Sequence, residues 1–180
     1  MKITLVTGNQ GKLKEWQRLM PPDISMVAHD IDVPEIQSLD AEAIVADKAK
    51  RAFDILQTPV CVEDVTAGLV KLNGLPGPFI KFFLKSLGND ALYQLAGAPD
   101  EPAYVGCSMA YFDGTQLLTV YAELHGRVVA PRGDNGFGFD ATFMPDGSDK
   151  TFAEMTDAQK DQYSHRALAM KLLIDKLETI

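Results

Sequence analysis

Residues 59–64, Pro-Val-Cys-Val-Glu-Asp, constrain this chain more than any other stretch. Pro59 to Val62 is short and wholly apolar, as expected of a strand buried on both faces. Such strands belong to α/β sheets, which collect ligands at the carboxyl ends of their strands. Two adjacent carboxylates, Glu63 and Asp64, stand where the run stops. They are therefore expected at a strand end, in or beside a ligand site. Hard oxygen donors suit Mg²⁺, which takes one or two carboxylates and completes its shell with water and phosphate. A polar strand end or a helix cap is the plainer alternative for the same pair. A stiff turn follows, Gly74-Leu75-Pro76-Gly77-Pro78, and then Lys81, a cation in an aromatic segment.

The rest of the chain alternates in the same α/β manner. Lys2 to Thr7 reads as a strand and enters the turn Thr7-Gly8-Asn9-Gln10-Gly11-Lys12. Leu13 to Met20 reads as a helix, with Leu13, Trp16 and Met20 at helical spacing and Pro21-Pro22 as its stop. A strand, a glycine turn and a helix start together suit a bound phosphate, because backbone N–H groups and the positive helix end face the anion. A Walker P-loop is excluded. It needs four residues between its first glycine and the Gly-Lys pair, and Gly8 and Gly11 enclose two.

Met26 to Val33 is a second strand, and Asp40 to Leu56 a helix with Ile44, Ala49 and Phe53 on its apolar stripe. Glu35 in the intervening loop and Lys48 off the stripe read by themselves as solvated charges. Phe79 to Leu87 and Asn89 to Leu95 are short helices. Tyr104 to Phe112 and Leu117 to His125 are strands joined by the hairpin signal Asp113-Gly114, and Gly126 to Val129 begins a further strand. The sheet is therefore mixed. A second glycine-dense loop, Pro131 to Asp140, carries Phe137 and Phe139, either of which offers a flat face to a nucleobase, with Gly138 between them and Asp140 as a third candidate carboxylate. Thr151 to Met155 is extended or irregular. Lys160 sits in a polar segment. Ser164 caps a last helix, His165 to Glu178, with His165 and Arg166 in its first turn.

Composition narrows the function classes. At 180 residues the chain reads as one domain. A formal net charge of −8 argues against binding a nucleic-acid backbone, but not against a small anion met by a local cluster of cations or a metal. No apolar run is long enough to span a membrane, and the N-terminal strand is too short for a signal peptide. Cys61 and Cys107 stand singly in apolar runs, which reads as buried free thiols in a reducing, cytoplasmic setting. Loop carboxylates, cations, glycine turns and aromatic faces in one chain point to a nucleoside triphosphate. The carboxylates suit metal-assisted phosphoryl chemistry, in which an activated water attacks.

The chain resembles the inosine triphosphate pyrophosphatase (Ham1-like) family. The matching pieces are V-T-G-N-x-x-K (Val6 to Lys12), V-E-D (Val62 to Asp64), G-L-P-G-P-F-I-K (Gly74 to Lys81), A-P-R-G (Ala130 to Gly133), F-G-F-D (Phe137 to Asp140), T-F-A-E-M (Thr151 to Met155) and S-H-R (Ser164 to Arg166). They stand in the family's order across nearly the whole chain. The resemblance implies an elongated mixed sheet with flanking helices, two lobes around a cleft, and a homodimer. It also implies hydrolysis of the non-standard purine triphosphates ITP, dITP and XTP to monophosphate and pyrophosphate with Mg²⁺, Mn²⁺ being the alternative ion. Carried over by position, Thr7, Gly8, Asn9 and Lys12 would hold the triphosphate. Glu35 and Asp64 would serve the metal, and Asp64 would activate water. Lys48 and Lys81 would add positive charge near the phosphates. Phe139 would stack on the base, flanked by Phe137 and Gly138, with Asp140 near the base or sugar. Lys160, His165 and Arg166, next to Ser164, would read the base edge. Glu63 would be a second metal ligand or only a structural neighbour. Two positions depart from the family pattern: Val65 replaces the usual hydroxyl residue after V-E-D, and Phe139 replaces a Trp or Tyr. A related pyrophosphatase with another base preference, and a nucleotide-binding module without turnover, are the competing readings.

Overall fold

The computed structural model describes residues 2–162 and 164–179. Seven strands, β1 (Lys2–Val6), β2 (Ser25–His29), β3 (Val60–Leu69), β4 (Pro76–Gly77), β5 (Glu101–Phe112), β6 (Leu117–Val128) and β7 (Phe143–Pro145), form one sheet. Its order is β2-β1-β3-β5-β6-β7, with β4 paired to β3. β1 runs parallel to both β2 and β3, whereas β4 on β3 and β7 on β6 are antiparallel. The sheet is mixed, as expected. Six helices accompany it: α1 (Gln10–Leu19), α2 (Ala41–Leu56), α3 (Ile80–Leu87), α4 (Ala91–Ala96), α5 (Asp157–Lys160) and α6 (His165–Leu177).

Local chemistry explains most of the boundaries. Asn9 caps α1 by accepting from the Lys12 N–H, and Asp40 caps α2 by accepting from the N–H groups of Glu42 and Ala43. Gly88 closes α3 and Gly97 closes α4, each with positive φ. Asp113 accepts from the Thr115 and Gln116 N–H groups and so fixes the turn between β5 and β6.

Three expectations are corrected. Glu63 and Asp64 do not end their strand, because β3 continues to Leu69. The polar pair interrupts the apolar run without interrupting the strand: both side chains are buried, Glu63 among charged and polar partners. Gly126 to Val128 is the far end of β6 rather than a new strand. Gly126 belongs there because a Cβ would come within 2.3 Å of the Met144 carbonyl on β7. Residues Phe152–Glu154 make a short 3₁₀ turn where an extended or irregular segment was expected.

The chain divides into two compact units. The first holds residues 1–64, 107–122 and 166–180, and the second holds 65–106 and 123–165. The first has its own core, in which Val60 and Val62 of β3 pack with Val45, Ala49 and Ala52 of α2. The core of the second gathers Leu69, Leu92, Val105, Phe139, Phe143 and Phe152. Among the described residues, no helix is long and apolar enough to cross a membrane.

Both cysteines are free and buried. Burial pushes the Cys61 thiol up to about 12, and burial with the nearby Glu63 carboxylate pushes Cys107 well above its ordinary value. Ellman's reagent is therefore expected to titrate no thiol in native protein at pH 8 and two after denaturation. Prompt reaction of a native thiol would contradict the burial.

Candidate functional site

Consecutive residues of a strand point to opposite faces, so Glu63 and Asp64 leave β3 in opposite directions. This divides the polar residues of the first unit into two groups.

Glu63 is 2% exposed and accepts from three side chains. Arg166 holds it in a two-point grip, with Nε at 2.9 Å from Oε2 and Nη2 at 2.8 Å from Oε1. The Trp16 indole N–H donates to Oε2 at 2.5 Å, and Lys12 Nζ lies 3.1 Å from Oε1. Arg166 also bonds to Glu15, which is buried on α1. Burial by itself would raise the Glu63 carboxyl. The charges of Arg166 and Lys12, with hydrogen bonds from Arg166 and Trp16, hold it well below the usual carboxylate range. Burial likewise opposes the charge on Lys12 and Arg166. Burial is the largest single influence on each, but Glu63 together with Asp64 at Lys12, and the Glu63 charge and hydrogen bond together with Glu15 at Arg166, outweigh it, so both cations titrate above their ordinary values. Two cations thus meet two carboxylates in a largely buried network.

The second group belongs to the other face. Lys48 of α2 donates to Glu35 Oε1 at 2.7 Å and to the Glu63 carbonyl at 3.3 Å. It thereby ties the loop that carries Glu35 to β3, one residue before Asp64. Ser108 of β5 donates to the Asp64 carbonyl at 3.3 Å, fixing the backbone there. Asp64 is 8% exposed. Among the described residues, no three His, Cys, Asp or Glu side chains gather as a ready-made metal cage. Two carboxylates with room for phosphate oxygens are what Mg²⁺ asks of a protein when the nucleotide brings the remaining donors. Glu35, whose Oε1 accepts from Lys48, and Asp64 are the two carboxylates of this group that would serve such an ion. Both oxygens of Glu63 already accept from donors of the buried network, which favours the second of its two expected roles, a structural neighbour, over that of a metal ligand.

The glycine turn that opens α1 is held from within. Thr7 Oγ1 accepts from the Asn9 N–H at 3.2 Å, and Asn9 Oδ1 from the Lys12 N–H at 3.1 Å. Gly8 lies against Asp30, whose Oδ1 a Cβ at residue 8 would meet at 2.4 Å.

In the second unit the glycine-dense loop folds around Asp140. Asp140 Oδ2 accepts from the Phe137 N–H at 2.8 Å and from Lys160 Nζ at 2.6 Å. Gly136 has φ of 77°, and a Cβ there would meet that carboxylate oxygen at 2.1 Å, so only glycine lets the loop close. The Lys160 ammonium is also 5.3 Å from the ring centroids of Phe137 and of Phe152. His165 stacks on Phe152 at 5.8 Å between centroids and lies 5.9 Å from Phe139. Ser164 and His165 are buried beside it. Phe139 is 5% exposed and belongs to the core, whereas Phe137 is half-buried. Lys81 is exposed on α3, its ammonium 5.4 Å from the Phe82 ring centroid.

The structure thus brings together Lys12 with Glu63, Lys48 with Glu35, and Asp140 with Lys160. Arg166, expected to read a base edge, is 1% exposed, and its guanidinium faces Glu15 and Glu63 within the first unit. Glu15, Trp16, Ser108 and Phe152 were not singled out from the sequence. Trp16 counted there only as one apolar position of a helix, and no spacing rule reaches from residue 15 or 16 to residues 63 and 166. The A-P-R-G motif is structural: Arg132 donates to the Asp149 carbonyl at 3.1 Å and lies 3.3 Å from Glu154, while its own carbonyl accepts from Thr151 Oγ1 at 2.8 Å.

Comparison with known proteins gives the same assignment over the full length. A profile of the Ham1 family matches residues 3–176. The inosine triphosphate pyrophosphatase of Schizosaccharomyces pombe is 42% identical over 180 residues, covering 98% of this chain and 95% of that protein. Among solved structures, the Ham1 protein of Staphylococcus aureus superposes with a TM-score of 0.83 at 27% identity, covering 99% of each chain. A nucleoside-triphosphatase / dITP/XTP pyrophosphatase from Mycobacterium abscessus does so with a TM-score of 0.70 at 28% identity, covering 96% of this chain and 98% of that one. Motifs, mixed sheet and full-length relatives agree, and the chain belongs to the Ham1 family.

Proposed function

We propose that the protein hydrolyses non-standard purine nucleoside triphosphates, ITP, dITP and XTP, to the monophosphate and pyrophosphate. The observation that carries this reading is the arrangement around Asp64: a buried carboxylate on β3 beside the Lys48–Glu35 pair, in a chain whose full-length relatives bear that activity in their names. Glu35 and Asp64 would hold Mg²⁺, or Mn²⁺ in its place, which when bound supplies Lewis-acid polarisation of the phosphates.

The chain's own residues do the rest. Asp64 accepts a proton from the attacking water as the water oxygen bonds to phosphorus and the bridging P–O bond between the α- and β-phosphates breaks, giving monophosphate and pyrophosphate. Lys12, at the start of α1, and Lys48 meet the charge of the phosphates, joined by the Thr7-Gly8-Asn9 turn at the positive end of α1. In the second unit, Phe137 and Phe139 supply aromatic faces, and Asp140, Lys160, Ser164 and His165 supply polar groups for a base. Inosine and xanthine carry an oxygen at C6 where adenine carries an amino group. A donor from Lys160 or His165 satisfies the oxygen and is left unpaired against the amino group, at a cost of ~1–3 kcal/mol. Val65 brings no hydroxyl next to Asp64, while Thr66 is buried on the same strand. The two buried free thiols suit a reducing, cytoplasmic setting. A homodimer is expected, which light scattering would report as about twice 19.7 kDa.

Turnover of a nucleotide panel with and without Mg²⁺ tests the reading. Pyrophosphate is the expected product, with kcat/KM for ITP and XTP at least about tenfold above ATP. Release of orthophosphate, or a preference for pyrimidine triphosphates, would overturn it.

A further inference from the structure

Trp16 takes no part in the reaction just described, yet its indole ends on the same carboxylate as Lys12. It is fully buried on α1, and its N–H donates to Glu63 Oε2 at 2.5 Å. A buried indole N–H needs only some acceptor, and a backbone carbonyl would satisfy it. Here it meets an ionised carboxylate, and hydrogen bonds to ionised groups are about twice as strong as neutral ones. The two Glu63 oxygens have different surroundings. Oε2 accepts from Trp16 and Arg166 Nε, both inside the protein. Oε1 is shared between Arg166 Nη2 and Lys12, whose side chain is 18% exposed against 1% for Glu63. Lys12 is therefore the partner of Glu63 that reaches solvent. A carboxylate already satisfied by internal donors holds its remaining cation less tightly.

We propose that Trp16 is a positioning residue: its N–H keeps Glu63 compensated within the protein, so that Lys12 is released from Glu63 to a triphosphate. The inference rests on the reading of Lys12 as a triphosphate ligand. Lys12 moves from Oε1 to a phosphate oxygen, while Glu63 stays in place with Arg166 and Trp16.

Trp16→Phe keeps the ring and removes the N–H. The KM for ITP is expected to rise about five- to tenfold with kcat within about twofold, because Glu63 then grips Lys12 and the triphosphate must compete for it. A tryptophan that only filled space would lower the melting temperature and the active fraction but leave KM unchanged. An unchanged KM in folded Trp16→Phe overturns the proposal. A second measurement needs no variant at this position. Trp16 is the only tryptophan, so the wild-type protein gives a single indole ¹⁵N–¹H signal. Metal-free inorganic tripolyphosphate should shift that signal in wild type and leave it still in Lys12→Met. A wild-type signal that does not move when tripolyphosphate is bound, as judged by its inhibition of ITP turnover, overturns the proposal even if Trp16→Phe fails to fold. Absence of ITP turnover in wild type would instead overturn the functional reading. Direct binding of tripolyphosphate, followed by calorimetry, would then decide the Trp16 proposal through the same indole signal.

Discussion

Asp64→Asn is expected to lower kcat for ITP by roughly 10³-fold, within the 10²–10⁴ range that a positioned proton acceptor contributes. The substitution preserves volume and can still occupy the 8%-exposed position on β3. The backbone there is held by Ser108 and, through Lys48, by the neighbouring Glu63 carbonyl, and none of these contacts uses the carboxylate. An amide has no charge for a metal and negligible basicity toward water. Nucleotide binding should survive in weakened form, because Lys12, Lys48 and the α1 turn remain. Stopped-time product assays and calorimetric binding of ITP to the variant separate the two effects. A variant that kept full turnover would refute both the base and the metal assignment for Asp64. A bare nucleotide-binding module, by contrast, would show no turnover to lose.

Glu63→Ala should unfold the protein more readily than any change at Asp64. Removing this carboxylate takes away the counter-charge that Arg166 and Lys12 share and strands the Trp16 N–H. Breaking a buried ion pair from one side costs about 3–5 kcal/mol. In a chain of this size that lowers the melting temperature by roughly 6–20 °C. The pH dependence has a definite sign. The folded carboxyl lies below its ordinary value near 4.5, so its stabilisation is complete above that pH and is lost as the pH falls below it. Wild type should therefore lose stability steeply in acid, and Glu63→Gln should show a shallower acid limb. Thermal melts between pH 3 and 7 measure both. An equally stable Glu63→Ala, or identical acid limbs, would remove Glu63 from the centre of the network.

These two outcomes separate neighbouring residues that the sequence presents as a pair. The short apolar run before them correctly announced an interior strand, but its length was misread. A local pattern ends where polarity begins, whereas β3 continues because Arg166, Lys12 and Trp16 compensate the charge it buries. The same limit applies in the second unit. The glycines of residues 133–138 were legible as a loop that closes tightly, but not that the loop closes on Asp140 and that Lys160 completes it. Lys48 and Glu35 look like ordinary surface charges in sequence. They acquire meaning only through the 2.7 Å contact between a helix and a loop.

Periodicity, caps and turn residues determined by themselves that this is an α/β chain with a mixed sheet, because those signals act over a few residues and depend little on tertiary context. The ordered motifs determined its family for a related reason: each is a short contiguous pattern, legible without knowing what it touches in the fold. Which carboxylate is tied into the buried network was decided only by the tertiary structure. Strand alternation sends Glu63 and Asp64 to opposite faces, and α1 and α6 then bring four donors to the first of them. Those partners are 47 to 103 residues away from Glu63 for Trp16 and Arg166, a separation that no local pattern spans.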